Sequence, residues 1–383
     1  MNRAFLKSPT KVTLMANSPK TMTRFKRAGK KLNAKFRPGH LHYSPDWMVL
    51  GVNNVCNMSC KMCDVGTGYS ESNFAQNLTG TRPINMPLPL ITHLFDQTHR
   101  FFPKTRIGYA FTEPLVYPHL LASLEHANRL GLSTAITTNG LTLRKITSEL
   151  QETGLNELFI SLDGPQEIHN AIRGNANSFQ WAVEGIETIL RQPAPRPKVS
   201  IFCTITEWNI GHLQRFLKQF AGMDLAEIGF MHTNFTPQSV VDRHNTLYGT
   251  RYPATVSNME QIDIDKMDLD TLWKEIQEIR SNPPSFKVTF APNITDRPSL
   301  ERFYRQPDTL YGRRCNDAFR TLMIKSNGDV IPAHGRCYPV LAGNLHQQDL
   351  KEIWNAPALG NFRTELNKAG GLLPACARCC SAF

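Results

Sequence analysis

The chain has 383 residues, room for two or three domains at roughly 100–200 residues each. With 41% hydrophobic and 20% charged residues it can bury a core, which excludes wholesale disorder. The net charge is +11, but eleven Lys and Arg against the single acid Asp46 precede Trp47, so residues 1–46 hold +10 of it. The body is nearly neutral, with no aromatic stacking motif or groove-reading helix, which speaks against a specific nucleic-acid partner. No uninterrupted apolar run of about 18 residues occurs, and no short apolar segment follows a basic start. A cytoplasmic protein without a transmembrane segment is expected.

Residues 1–46 form a basic arm in which Met22, Phe25, Leu32 and Phe36 make one helical stripe. It reads as a helix docked on the body, or as a contact to an anionic surface or phosphate. From Trp47, short apolar runs predict strands at Met48–Asn53, Ile107–Phe111, Ser133–Thr138, Glu157–Leu162, Val199–Thr204 and Glu227–His232. Helix-like segments alternate with them at Leu90–Phe101, Leu120–Leu130, Leu143–Thr153, Ser178–Arg191 and Asn209–Phe220. Six strand–helix units predict an α/β domain over 47–232, a partial (β/α)6 TIM-like barrel with right-handed crossovers and chemistry at the carboxyl ends of its strands.

Residues 233–305 read as a less regular connecting region, with Pro253, Pro283, Pro284 and Pro292 and one helix near Met267–Arg280. Together with the loop Asp64–Pro83 they are expected to shape the substrate pocket, offering His232, Asn234, Arg243, Tyr248 and Arg251. Residues 306–383 are too few to bury a core alone, so a metal is expected to support this small α+β domain. Asn327-Gly-Asp329 between apolar residues predicts a hairpin there.

Nine cysteines stand at 56, 60 and 63, at 203, and at 315, 337, 376, 379 and 380. In a reducing compartment such clusters read as metal sites rather than disulfides. Cys56, Cys60 and Cys63 follow the first predicted strand, and three thiolates on one loop can hold three corners of a [4Fe–4S] cube. The fourth iron then stays open to a small molecule. A structural zinc site would want a fourth Cys or His nearby, and the following stretch offers only His93 and His99.

This loop resembles the C-x3-C-x2-C signature of the radical S-adenosylmethionine (AdoMet) enzymes, and the resemblance runs from Trp47 to Cys380. Phe111-Thr-Glu-Pro114 is similar to that family's Gly-Gly-Glu-Pro loop, with Phe111 and Thr112 in place of the glycines. Thr137-Thr-Asn-Gly140 and Ser161-Leu-Asp-Gly164 match two further strand-end motifs, and Arg173 matches an arginine that pairs the methionine carboxylate. The resemblance therefore assigns Met62, Thr112, Glu113, Asn139, Ser161, Asp163 and Arg173 to AdoMet. It implies a reduced [4Fe–4S] cluster that cleaves AdoMet to a 5′-deoxyadenosyl radical. That radical abstracts hydrogen from substrate, and a one-electron reductant such as flavodoxin or ferredoxin supplies the electron.

The segment Gly343-Asn-Leu through Ile353-Trp354, with the later cysteines, resembles SPASM and Twitch domains. This implies one auxiliary [4Fe–4S] cluster on Cys315, Cys337, Cys376 and Cys379, with Cys380 a spare; four cysteines would also hold zinc. Cys203 reads as a plain buried thiol, its alternative being a hydrogen donor to a substrate radical, and Cys380 shares that alternative. The expected activity is that of a radical AdoMet oxidoreductase dehydrogenating a sugar, aminocyclitol or other natural-product intermediate. Alternatives are a redox-neutral epimerase, a peptide-crosslinking maturase and a lipid-modifying enzyme. A non-catalytic iron–sulfur carrier would leave Glu113, Ser161 and Arg173 without a reason.

Overall fold

A computed structural model describes residues 19–382 of the chain, with side chains from Arg27 onward. Its strands are β1 Trp47–Leu50, β2 Arg106–Tyr109, β3 Thr134–Thr138, β4 Glu157–Ser161, β5 Lys198–Ile205, β6 Glu227–His232, β7 Lys287–Ala291, β8 Thr321–Ile324, β9 Asp329–Pro332 and β10 Gly343–Asn344. They form one sheet in the order β10-β9-β8-β1-β2-β3-β4-β5-β6-β7. Every neighbouring pair from β1 to β7 is parallel, β8 adds in parallel to the free side of β1, and β9 and β10 follow antiparallel.

Two features go beyond the sequence expectation. Residues 233–305, read as irregular, contain β7, which pairs with β6 from Glu227↔Lys287 to Met231↔Ala291. Its five residues are bounded by Pro284 and Pro292, so the apolar run was too short to announce a strand. The expected C-terminal hairpin is present as β8 and β9, and it extends the main sheet, with Trp47↔Thr321 through Leu50↔Ile324 in register.

Burial alternates along the strands, as the two-residue period requires. In β1, Met48 and Leu50 are fully buried while Trp47 and Val49 are half-buried; in β4, Leu158 and Ile160 are buried while Phe159 and Ser161 are not. The buried set packs under the helices: Phe230 of β6 meets Phe216 of the helix Leu213–Lys218 at 6.3 Å between ring centroids. Phe159 and Phe202, 5.5 Å apart, line the opposite face, where Gly229 is required because a Cβ there would lie 2.6 Å from the Phe202 ring. The helices thus cover one face, and the first cysteine loop follows the carboxyl end of β1.

The arm forms a helix at Pro19–Phe36, seated through buried Ala34, whose carbonyl accepts from Asn367 Nδ2 at 2.7 Å, and through the Lys30–Asp46 ion pair at 2.7 Å. Leu32 and Phe36 of the expected stripe are 57% and 69% exposed, so that stripe does not dock on the body; the side chains of Met22 and Phe25 lie outside the described residues. Among the described residues no helix is long and apolar enough to cross a membrane.

Arg363 ties the C-terminal segment together. Fully buried, it lies 4.3 Å from the Trp354 ring centre and donates to the carbonyls of Ala318 and Trp354 at 2.8 and 2.9 Å. Arg363→Met leaves both carbonyls unpaired and is expected to cost about 2–4 kcal/mol in urea unfolding.

Candidate functional site

The first cysteine loop leaves β1 and is fixed by the two strand ends beside it. Asn53 Nδ2 donates to the Glu113 carbonyl at 2.8 Å, and Asn139 Nδ2 donates to Asn57 Oδ1, between Cys56 and Cys60, at 2.8 Å. Lys61 N donates to the Ile172 carbonyl at 2.9 Å, which closes the loop from the other side. Gly66 is required here, since a Cβ would sit 2.5 Å from the backbone of Cys60. Cys60 is buried, and Cys56 and Cys63 are half-buried. Burial first, and then Cys63 and Cys56, push Cys60 up to about 11; burial, then Glu113 and Cys63, raise Cys56 as well; Arg173 opposes both shifts. Three thiols on one tight loop, two of them held back from ionising by their surroundings, suit a cation shared among them. The loop therefore fits a cluster with three cysteine ligands.

The residues that the resemblance assigns to AdoMet converge around this loop, several of them already partnered. Glu113 is fully buried, and its carboxyl accepts from Thr138 Oγ1, Asn139 N and Leu115 N at 2.6, 2.8 and 2.9 Å. Burial raises its pKa against those three bonds. Thr112 Oγ1 donates to Asn53 O at 3.0 Å and also meets Asn53 Oδ1. Arg173 does not stand free: its Nε donates to Asp163 Oδ2 at 2.5 Å, and its Nη1 lies 3.6 Å from Cys60 Sγ. Asp163 also accepts from Thr204 N at 2.9 Å, and its own amide donates to His169 Nδ1 at 3.0 Å. Ser161 is half-buried at the end of β4, and Met62 is buried in the cysteine loop. Cys203 belongs to neither cysteine group; it is fully buried in the core, with Asn209 Nδ2 at 3.7 Å from its sulfur.

Phe111 holds φ at +85°, a conformation glycine adopts freely and L residues avoid. The strain is offset by packing, since its ring joins Val65, Phe74, Leu78, Met323 and Ile331 in one apolar cluster between the first cysteine loop and the β8–β9 hairpin.

The second group lines a cavity to which Cys315, Cys337, Cys376 and Cys379 all contribute, with Asn73, Phe74, Asn234, Ser257, His334, Arg336 and Tyr338. Burial pushes the thiols of Cys315, Cys337 and Cys376 up, and neighbouring cysteines raise those of Cys315 and Cys337 further. Four thiols around one cavity fit a closed cluster or a tetrahedral metal. Cys380 is exposed and does not line the cavity; its sulfur lies 3.7 Å from His334 Nε2. Of the five pocket candidates only Asn234 reaches this cavity. His232 is buried against Tyr304 at 2.8 Å, Arg243 donates to the Asp308 carbonyl at 3.0 Å, Arg251 faces Glu365 at 3.5 Å, and Tyr248 packs on His244.

The two groups are joined by residues that carry no sequence signature. Asp64, next to Cys63, is buried and accepts from Ser257 Oγ and Asn258 N, each at 2.6 Å. Arg336, next to Cys337, donates to the same Ser257 Oγ at 2.9 Å. Asn77, in the short helix Asn73–Thr79 that follows the first cysteine loop, donates to the carbonyls of Gly335 and Cys337 at 2.8 and 2.9 Å. His334 and Tyr338 flank Cys337 closely enough that the local sequence could have marked them.

A three-cysteine loop at the carboxyl end of β1 and a four-cysteine cavity lined by Ala333 and His334, just after β9, define a protein built to hold iron–sulfur clusters. Residues 51–220 match the family model of the radical SAM superfamily, and residues 315–380 match that of the SPASM iron–sulfur cluster-binding domain. The chain belongs to the radical SAM superfamily and carries a C-terminal SPASM domain; these domains imply [4Fe–4S] clusters and AdoMet. It is 24% identical over 270 residues to the AdoMet-dependent heme synthase of Methanosarcina barkeri, covering 66% of this chain and 68% of that protein. The Fe-coproporphyrin III synthase of the same organism is 26% identical over 223 residues, covering 56% of this chain and 50% of that protein. The pre-heme d1 synthase of Dinoroseobacter shibae is 27% identical over 164 residues, covering 43% and 37%. Among solved structures, Streptococcus suis SuiB bound to S-adenosylmethionine superposes with a TM-score of 0.57 at 16% identity, covering 92% of this chain and 75% of SuiB. The anSMEcpe structure with bound AdoMet gives 0.56 at 16% identity, covering 82% of each chain. These two likenesses are of fold.

The strain at Phe111 can be isolated by comparing two truncations. Phe111→Gly and Phe111→Ala lose nearly the same ring packing, but only glycine relieves the backbone. The glycine variant should be more stable by about 1 kcal/mol in urea unfolding, the reverse of the usual order.

Proposed function

We propose that the protein cleaves AdoMet reductively at a cluster held by Cys56, Cys60 and Cys63, and oxidises an organic substrate with the help of a second cluster held by Cys315, Cys337, Cys376 and Cys379. When bound, the first cluster and AdoMet supply a 5′-deoxyadenosyl radical that abstracts a hydrogen atom. The observation that carries the oxidative reading is the four-thiol cavity tied to the first loop through Asp64, Ser257 and Arg336. Four thiol ligands leave no iron for substrate, so an electron from the substrate radical is the natural traffic for this site. A one-electron donor of the flavodoxin or ferredoxin type starts the cycle.

The chain's own residues bind and orient. Glu113 offers the ammonium of AdoMet a buried anion already held in place by three donors, so it need not reorganise. Arg173 keeps N–H groups beyond those given to Asp163 and Cys60, so it can pair the carboxylate of AdoMet without losing the ion pair that positions it. Thr112, Asn139 and Ser161 complete the polar rim, and Met62 is part of its apolar wall. Phe159 and Phe202 on the half-exposed sheet face exclude water below it.

For the substrate, three curated relatives named for heme or Fe-coproporphyrin synthesis favour a porphyrin-class molecule over the sugar or aminocyclitol expected from sequence. Anaerobic reconstitution is expected to give about eight irons per chain, falling to about four when Cys56, Cys60 and Cys63 are replaced by alanine. Adding AdoMet, dithionite and Fe-coproporphyrin III should raise 5′-deoxyadenosine formation and yield a porphyrin product oxidised by two electrons. About four irons in the unmodified chain would remove the electron acceptor, and 5′-deoxyadenosine indifferent to the porphyrin would remove the substrate class. Glu113→Gln should weaken AdoMet binding roughly tenfold in equilibrium dialysis while leaving the iron content unchanged.

A further inference from the structure

Two side chains beside the C-terminal cysteines aim hydrogen-bond donors at sulfur. His334 Nε2 lies 3.3 Å from Cys379 Sγ, and Tyr338 Oη lies 3.2 Å from Cys376 Sγ. The histidine's tautomer is fixed by its other nitrogen. The backbone amide of Arg336 donates to His334 Nδ1 at 3.1 Å, so Nδ1 is the acceptor and the ring proton sits on Nε2, facing sulfur. This nitrogen is a donor to the thiolate and is not free to ligate metal. A thiolate bound to iron carries no proton, so the Tyr338 hydroxyl is the donor in its pair as well.

Neither ring is loose. Tyr338 is 4% exposed and stacks on His244 at 4.8 Å between ring centres. His244 is itself locked, its Nε2 donating to the Tyr252 carbonyl at 2.7 Å and its Nδ1 accepting from Ala375 N, next to Cys376, at 3.3 Å. The backbone that carries Cys376 and the ring that donates to it are therefore held by the same histidine.

We propose that His334 and Tyr338 are positioning residues that set the reduction potential of the auxiliary cluster by donating hydrogen bonds to the sulfurs of Cys379 and Cys376. A donor at a cluster sulfur stabilises the more negative, reduced state and so raises the potential. That is the direction an electron acceptor requires. The inference rests on the proposed cluster ligation by the four C-terminal cysteines and adds the reason this site takes electrons.

The test uses the full chain with Cys56, Cys60 and Cys63 replaced by alanine, so that the C-terminal cluster is observed alone by EPR-monitored redox titration. At a potential poised at the midpoint of this background, Tyr338→Phe and His334→Leu should each lower the reduced-to-oxidised ratio roughly tenfold, the loss of one hydrogen bond to a charged acceptor. His334→Gln, which keeps an N–H donor, should restore most of the ratio. Unmoved midpoints in variants retaining about four irons would overturn the inference while leaving the cluster in place. So would a His334→Gln variant that falls as far as His334→Leu. A background chain that binds no iron would overturn the cluster assignment, and the inference with it.

Discussion

β1 is hydrogen-bonded on both sides, and its parallel pairing with β8 is the constraint on which the arrangement of the two cysteine groups depends. The first cysteine loop leaves the carboxyl end of β1 at Leu50. Leu50 pairs with Ile324 of β8, and the hairpin that follows returns through β9 to Ala333 and His334. A shift of one residue would turn Met323, which faces Phe111 and Leu78, toward the helices and put a buried residue in its place. The register is therefore set by the same apolar contacts that close the space between the two sites.

The charges near the cysteines follow from that closeness. Burial holds the thiols of Cys60, Cys315 and Cys337 back from ionising, and the neighbouring thiols add to that resistance. Iron reverses both effects, because coordination takes the thiolate form and neutralises its charge. The first site also has a fixed cation, since Arg173 sits 3.6 Å from Cys60 Sγ and is itself held by buried Asp163. Removing either partner would leave an unpaired buried charge, which explains why the Asp163–Arg173 pair is further secured by Thr204 N and by His169 beneath the Asp163 amide.

Much of this was legible in the sequence where a residue acts through its own local pattern. Short apolar runs marked the first six parallel strands, β6 to the residue, because helical segments, some only six residues long, separate them. The hairpin turn at Asn327-Gly-Asp329 carried its own signal. β7 did not, because five residues between prolines have no period to read. The cysteine spacing and the strand-end motifs announced the iron–sulfur and AdoMet chemistry, but not that Arg173 would be tied to Asp163. Asp64, Asn77 and Ser257 act across separations of about two hundred residues or more, for which a single sequence holds no record. The exposure of Leu32 and Phe36 was hidden for a related reason: a helical stripe shows which residues share a face, not what that face meets.

The two sites differ in how many thiols they present, and that difference divides the chemistry between them. A loop with three cysteines cannot close a cube, so it leaves room at one iron for a further ligand, and in the proposed reading Glu113 and Arg173 supply an anion and a cation for the AdoMet zwitterion. A cavity with four can close it, and the groups that remain, His334 and Tyr338, are hydrogen-bond donors aimed at sulfur. Asp64, Ser257 and Arg336 tie the two sites to each other, and the proposed passage of an electron from substrate to the second site depends on that fixed spacing.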